Sequence, residues 1–234
     1  CQIEIEFIPQ STGAHTDNVI LSFNNGVGAT SNQLQIDGTG APPALITIAP
    51  GGTFDFGSIA RGGRAVQIFT LTNLVGAVDA TNITGAVATP EFAFTGGGVF
   101  PGTNGTCVIN GTLIGGASCD VEVEFVPLAN GGYMDNITIT YDDGLVVGQT
   151  SVRPIQGNAT DPALLTFAPS PQDWGTVARG STNVALVTIE NTGGVDALGV
   201  NEGSALLAPY SYTGGSGYPR SEEHTSELQS RQSI

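Results

Sequence analysis

Cys119-Asp-Val-Glu-Val-Glu-Phe-Val-Pro127 alternates apolar and acidic side chains. Val121, Val123 and Phe125 fall on one face and Glu122 and Glu124 on the other, which is the two-residue period of a β-strand. The pattern has a twin at Cys1-Gln-Ile-Glu-Ile-Glu-Phe-Ile-Pro9, 118 positions earlier. Three more blocks return at the same offset of 118. Asp17-Asn-Val-Ile-Leu-Ser-Phe-Asn-Asn-Gly26 becomes Asp135-Asn-Ile-Thr-Ile-Thr-Tyr-Asp-Asp-Gly144. Phe56-Gly-Ser-Ile-Ala-Arg-Gly62 becomes Trp174-Gly-Thr-Val-Ala-Arg-Gly180, and Phe92-Ala-Phe-Thr-Gly-Gly97 becomes Tyr210-Ser-Tyr-Thr-Gly-Gly215. Blocks that share one offset define a repeating unit, here of about 118 residues.

The unit reads as all-β. Ile137, Ile139 and Tyr141 alternate with Thr138 and Thr140, as Val19, Leu21 and Phe23 do in the earlier copy. Phe69 and Leu71 alternate with Thr70 and Thr72, and Val187 and Ile189 match them one unit later. Thr, Val and Ile suit a half-buried pleated surface. Asn-Asn-Gly, Asp-Asp-Gly, Gly-Gly and Pro clusters separate these runs and supply turn backbone. Short strands with frequent turn signals predict tandem immunoglobulin-like β-sandwich domains, one complete and two partial. The expected divisions are 1–41, the C-terminal part of one unit; 42–160, a complete unit; and 161–219, the N-terminal part of a third. Phe69, Leu71, Val121, Val123, Phe125, Ile137 and Ile139 are the predicted core of the complete unit. The halves at either end are expected to leave sheet faces uncovered, and 161–219 is not expected to be stable by itself. Pro42, Pro43 and Pro162 lie in the joints between units and predict a semi-rigid string rather than a floppy tether.

Composition narrows the function. The chain has 234 residues, with 21 acids against 6 arginines and no lysine, for a net charge of −15. Such a balance with no basic cluster argues against nucleic-acid or anionic-membrane partners. No apolar run approaches the 18 or so residues of a membrane span.

Candidate chemical residues are few. Cys107 and Cys119 are the cysteine pair inside the complete unit, with eleven residues between them. A structural disulfide is the favoured reading, free thiols and a metal site being the alternatives; zinc would need two further ligands. A disulfide implies an oxidising, extracytoplasmic setting. Cys1 occupies the Cys119 position and reads as half of a bridge whose partner lies upstream, rather than as a lipidated terminus. His15 reads as a solvated turn residue, with no second group placed to complete a catalytic triad. Glu122 and Glu124 read as a solvated acidic face rather than an acid/base pair. Asp142-Asp143-Gly144 reads as a turn rather than a calcium loop, because its counterpart is Asn24-Asn25-Gly26. Sequons stand at Asn82, Asn104, Asn110, Asn136 and Asn158, in a chain where such triplets arise readily. Trp174 reads as a packing anchor, and Arg61 and Arg179 as turn-side hydrogen bonders. No catalytic, cofactor-binding or metal-binding residue is assigned, and the chain is not expected to be an enzyme.

Together, Ile46-Thr-Ile-Ala-Pro50, Phe54-Asp-Phe-Gly57, Arg61-Gly62, Leu71-Thr-Asn73 and the Cys119–Pro127 strand resemble the choice-of-anchor D repeats of bacterial surface and secreted proteins. These are immunoglobulin-like sandwiches related to the Hydin-type domains of cilia. Leu165-Thr-Phe-Ala-Pro169, Trp174-Gly175, Arg179-Gly180 and Ile189-Glu-Asn-Thr-Gly193 repeat the series, so the resemblance spans 1–219. It departs at Leu74-Val75, where the later copy has Thr192-Gly193. The resemblance implies a non-catalytic extracellular or cell-surface module in tandem arrays, whose partners are neighbouring repeats of the same chain. The alternatives are an adhesin or carbohydrate-binding module, contacting a surface glycan or protein, and an accessory domain of a secreted enzyme. A binding module would need an exposed aromatic patch, for which Tyr133, Phe100 and Trp174 are the candidates. From Arg220 the repeat correspondence stops. Residues 220–230 resemble the translation of a sequencing-library adapter, so 220–234 is read as a non-native tail that packs against nothing in particular, and the start at Cys1 as mid-domain.

Overall fold

The structure, a computed structural model, describes residues 1–213 and 227–228. Among the described residues there is no helix. The strands are β1 (Gly13–Asn24), β2 (Ala29–Gly40), β3 (Ile46–Ala49), β4 (Phe54–Ala60), β5 (Ala65–Asn73), β6 (Ala80–Ala86), β7 (Phe92–Phe94) and β8 (Gly111–Leu113). They continue as β9 (Ser118–Phe125), β10 (Gly131–Asp142), β11 (Gln149–Thr160), β12 (Leu165–Ala168), β13 (Thr188–Asn191), β14 (Ala197–Leu198) and β15 (Glu227–Leu228).

Strands β3 to β11 build two sheets of an immunoglobulin-like β-sandwich. One has the order β3-β5-β9-β7 and the other β4-β11-β10-β6-β8. Neighbours are antiparallel except β4 on β11, which is parallel. Period-2 alternation turns Phe69 and Leu71 of β5 and Val121, Val123 and Phe125 of β9 inward from the first sheet. Ile137 and Ile139 of β10 meet them from the second. All seven have no exposed surface, as the alternation predicts. Phe92 stacks on Phe125 with ring centroids 4.7 Å apart, and Phe54 and Phe56 close the same cluster edge-on or tilted. Gly157 lets this cluster close, since a Cβ there would lie 2.5 Å from the Phe125 ring.

A single polar side chain ties the end of β5 to its surroundings. Asn73 is fully buried, and its amide oxygen accepts from Leu45 N while its nitrogen donates to Val78 O and Leu113 O. Such satisfaction is the condition for burying an amide. Asn191 ends β13 and repeats part of the pattern, accepting from Leu164 N and donating to Val195 O.

The flanking segments form fewer strands than the sequence pattern predicts. β1 and β2 pair along their whole length, Gly13 opposite Gly40, as β10 and β11 pair Gly131 with Ala159. Residues 1–9, predicted as a strand on the Cys119–Pro127 pattern, are not one. The physical reason lies in β9, which is a strand because β5 and β7 hydrogen-bond to its two sides. Among the described residues no strand pairs with residues 1–9. In the later segment β12 pairs with β13, Leu165 opposite Asn191, as Ile46 of β3 stands opposite Asn73. There the strand begins only at Thr188, whereas the matching β5 runs from Ala65. Of 220–234, which holds the adapter-like stretch, all but Glu227 and Leu228 lie outside the described residues. Within it, Glu227–Leu228 forms a two-residue ladder with Ala197–Leu198, a correction to the expectation of a tail without contacts, because β14 offers an open edge.

The same aromatic position is buried at Phe125 and 52% exposed at Phe7. Phe125→Ala should therefore destabilise the β3–β11 sandwich by roughly 3–5 kcal/mol. Phe7→Ala should change it by less than about 0.5 kcal/mol. Chemical denaturation of dilute protein, followed by tyrosine and tryptophan fluorescence, measures both.

Candidate functional site

The most constrained polar region of the sandwich is the segment 95–107, which lies over the outer face of β9. It extends the ladder begun by β7: Thr95 N donates to Glu122 O, Glu122 N to Pro101 O, and Thr106 N and Cys107 N to Asp120 O. Beneath it Glu122 is buried, which corrects the expectation of a solvated acidic face. Its carboxylate accepts from Asn104 Nδ2 at 2.9 Å, from the Thr95 hydroxyl and from Asn104 N at 3.3 Å. The Asn104 amide, then the Thr95 hydroxyl, with the Arg64 charge adding a smaller share, hold this carboxyl below the usual glutamate range. Glu124, two residues on, pairs with Arg64 Nε. Strand alternation placed both side chains outward correctly; the covering loop removes Glu122 from water.

Cys107 and Cys119 close this segment. They are joined by a disulfide, with Cα atoms 4.9 Å apart, and Cys107 is buried in the core cluster. The bridge fastens the far end of the 95–107 segment to the start of β9.

Several of the remaining candidates have structural partners, while Cys1 is a free, exposed cysteine. In the Asp142-Asp143-Gly144 turn, Asp143 Oδ1 accepts from Leu145 N and Val146 N, and Asp142 accepts from Gly148 N and Asn82 Nδ2. Those backbone donors, Val146 first, lower the Asp143 pKa. Asn25 accepts from Val27 N and Gly28 N in the earlier copy, so the turn works with or without charge. Among the described residues no three His, Cys, Asp or Glu side chains cluster to hold a metal ion. Likewise, no helix is long and apolar enough to cross a membrane. Among the sequons, the amides of Asn82, Asn104 and Asn158 donate to Asp142, Glu122 and Ser58.

His15 is half-buried in β1 rather than in a turn. Its Nε2 donates to Ser11 O at 3.1 Å, and its ring meets Phe7 edge-on at 5.8 Å. Tyr133 does the same one unit later, with its hydroxyl on Ala129 O at 2.9 Å and its ring 5.7 Å from Phe125. His15 thus fills a tyrosine's structural place, four residues after the carbonyl it holds. The three aromatic candidates each pack against another ring. Phe100 is buried against Phe94, Tyr133 is held as described, and Trp174 is half-buried 5.6 Å from Tyr210. The last pair repeats Phe56 and Phe92, also 5.6 Å apart.

Arg61 leads to a feature that the sequence did not single out. Its Nε pairs with Asp161 Oδ1 at 2.9 Å, and Asn130 Nδ2 donates to the same oxygen at 3.0 Å. Asn130, then Arg61, hold the Asp161 carboxyl below its ordinary range. From the other side, Gly194 N donates to Asp161 O at 3.0 Å.

No family model matches the chain, and no curated protein matches it. Among solved structures it is similar to the ASH/PapD-like domain 7 of human CEP192, at 16% identity and TM-score 0.35, covering 52% of this chain and 88% of that one. It is similar to a protein of unknown function from Porphyromonas gingivalis W83, at 11% identity and TM-score 0.37, covering 64% and 67%. It is also similar to the secreted serine protease VesC from Vibrio cholerae, at 17% identity and TM-score 0.36, covering 60% of this chain and 32% of VesC. At these scores none of them assigns an activity to this chain.

Two outcomes test this region. Replacing Cys107 and Cys119 by Ser should lower stability by roughly 3 kcal/mol, measured by urea denaturation with and without reductant. Glu122 has a lower pKa folded than unfolded, so its stabilisation is complete above the unfolded value of about 4.3. It is lost as pH falls from there through the folded pKa. Glu122→Gln should therefore flatten the acid side of the stability–pH curve below about pH 4.3, leaving the slope above it unchanged.

Proposed function

We propose that this chain is a non-catalytic structural and spacer module of a large secreted or surface-attached bacterial protein. In this reading its units are choice-of-anchor D-type repeats: 1–41 closes one, 42–160 is whole, and 161–219 opens the next. Its principal partners are the neighbouring repeats of the same chain.

The observation that carries the reading is the double engagement of Asp161. Its carboxylate is held by Arg61 and Asn130 of the sandwich behind it, and its carbonyl by Gly194 of the segment ahead. Only residues 161–164 separate β11 from β12. A joint so short, gripped from both sides, transmits orientation from one unit to the next, which a spacer requires and a flexible tether does not. The Cys107–Cys119 bridge fits an oxidising, extracellular or cell-surface setting. A net charge of −15 with no lysine disfavours polyanionic partners such as nucleic acid.

Asp161→Ala should speed hydrogen exchange at the Arg61 and Gly194 amides while leaving the exchange of β9 and β10 unchanged. Equal exchange at the joint in both proteins would remove the support for a stiff linkage. Screening the full chain against glycans and matrix proteins should yield no saturable binding; a micromolar complex with any of them would replace the spacer reading by an adhesive one.

A further inference from the structure

We propose that the Asp161–Pro162 peptide bond is a self-cleaving site, at which mild acid divides the chain between β11 and β12. The Asp161 side chain is the nucleophile and the Pro162 nitrogen is the leaving group. The inference goes beyond the spacer reading and does not rest on it. It rests on the chemistry of this dipeptide and on the groups that hold it.

Asp161-Pro162 is the only Asp-Pro step in the sequence. An aspartate carboxylate lies within ring-closing reach of its own carbonyl carbon, so it attacks at a high effective concentration. In the step, Oδ2 forms a bond to the Asp161 carbonyl carbon and the bond from that carbon to Pro162 N breaks. A proton from solvent goes to the departing nitrogen. Proline makes that departure easier, because its nitrogen leaves as a basic secondary amine. The cyclic anhydride that results is opened by water, which restores the side-chain carboxyl and creates a C-terminal one. The products are a chain ending at Asp161 and a chain beginning at Pro162, and water is the only reactant consumed.

The groups around the bond suit this step. Asp161 O accepts from Gly194 N at 3.0 Å, a donor placed to stabilise the charge that develops on that oxygen during attack. The carboxylate accepts from Arg61 Nε at 2.9 Å and from Asn130 Nδ2 at 3.0 Å. Both bonds fall on Oδ1, which leaves Oδ2 as the nucleophile. They also keep the carboxyl ionised, and so nucleophilic, at an acidity where an ordinary aspartate is partly protonated. Arg61, in the turn after β4, is the charged group facing it. From the segment ahead the contacting residues are Gly193 and Gly194, which carry no charge. These glycines fit closely over the bond: a Cβ on Gly193 would lie 2.2 Å from Pro162 O, and one on Gly194 would lie 2.6 Å from Thr160 Cβ. Asp161 and Pro162 are nevertheless exposed, so water and acid reach them.

The segment before β3 supplies the contrast. Val78 N donates to Pro42 O at 2.9 Å, as Gly194 N does to Asp161 O. Pro42 brings no carboxylate, so that segment has the carbonyl donor without the nucleophile and stays whole.

The test incubates the full 234-residue chain at about pH 4, close to the ordinary aspartate value, and follows intact mass. Fragments 1–161 and 162–234 should accumulate in step, with no cut at Pro42. The folded chain should cleave about tenfold faster than the same chain unfolded in urea at that pH, a smaller gain than a desolvated oxyanion donor gives because this bond is exposed. Asp161→Glu keeps a carboxylate but must close a larger ring. It should yield fragments more slowly than even the urea-unfolded parent, a loss that misfolding of the variant does not produce. Absence of the two fragments overturns the proposal. So does cleavage in the folded chain that is no faster than in urea, or cleavage that survives Asp161→Glu unchanged.

Discussion

The ladder between β5 and β9 is the constraint on which the rest depends. It joins strands far apart in sequence, Ala65–Asn73 and Ser118–Phe125, through eight residue pairs. Its inner face carries Phe69, Leu71, Val121, Val123 and Phe125, all fully buried. Its outer face carries Glu122 and Glu124, which hold the 95–107 segment and Arg64. Period-2 alternation makes these two outcomes inseparable, because a one-residue slip would turn the glutamates toward the facing sheet and the apolar side chains outward. At residues 1–9, which pair with no strand among the described residues, the same alternating sequence is not a strand. Strand propensity in this chain is conditional on pairing, as expected when packing and cross-strand contacts supply most of the stabilisation.

Much of this was legible in the sequence. Alternation at Val121–Phe125 and Ile137–Tyr141 identified the inward faces, and the 118-residue offset identified which residues match. What escaped it depends on connections rather than on strands. Glu122 sits on the outward face as its position dictates, yet it is buried because the 95–107 segment crosses over it. No local period encodes that crossing. His15 escaped for a different reason: its role shows only beside Tyr133, whose hydroxyl reaches the matching carbonyl, that of Ala129, four residues back. Asn73 was visible as part of a motif but not as a buried latch, since its three partners come from residues 45, 78 and 113.

Residues that look chemical in this chain are structural for a common physical reason. A buried carboxylate or amide is tolerated only when its hydrogen-bonding capacity is met. Asn73, Glu122 and Asp143 meet it with backbone donors and acceptors and with short polar side chains, which anchors the loops supplying them. The pKa directions agree: each shifted carboxyl is lowered by donors, the condition of a group kept ionised. A general acid needs the opposite shift. The exposed aromatics have an equally plain origin. Phe7, Phe23 and Tyr210 stand at positions that Phe125, Tyr141 and Phe92 fill in the β3–β11 sandwich, where those side chains are buried.

The segments before β3 and before β12 are held in different ways. Asp161 has Pro42 as its counterpart, and the carbonyl role survives the change, since Val78 N donates to Pro42 O at 2.9 Å. The carboxylate role does not survive. Pro42 and Pro43 instead fix φ within the joint and remove two backbone donors. A proline joint owes its stiffness to ring geometry, which neither acid nor salt alters. The Asp161 segment is held in part by a charge pair at the surface, which salt screens and acid removes. Because Asn130 and Arg61 lower the Asp161 pKa, that pair persists to more acidic conditions than an ordinary aspartate would allow. Two neighbouring joints of one chain therefore differ in which conditions loosen them, although their strands continue in the same way.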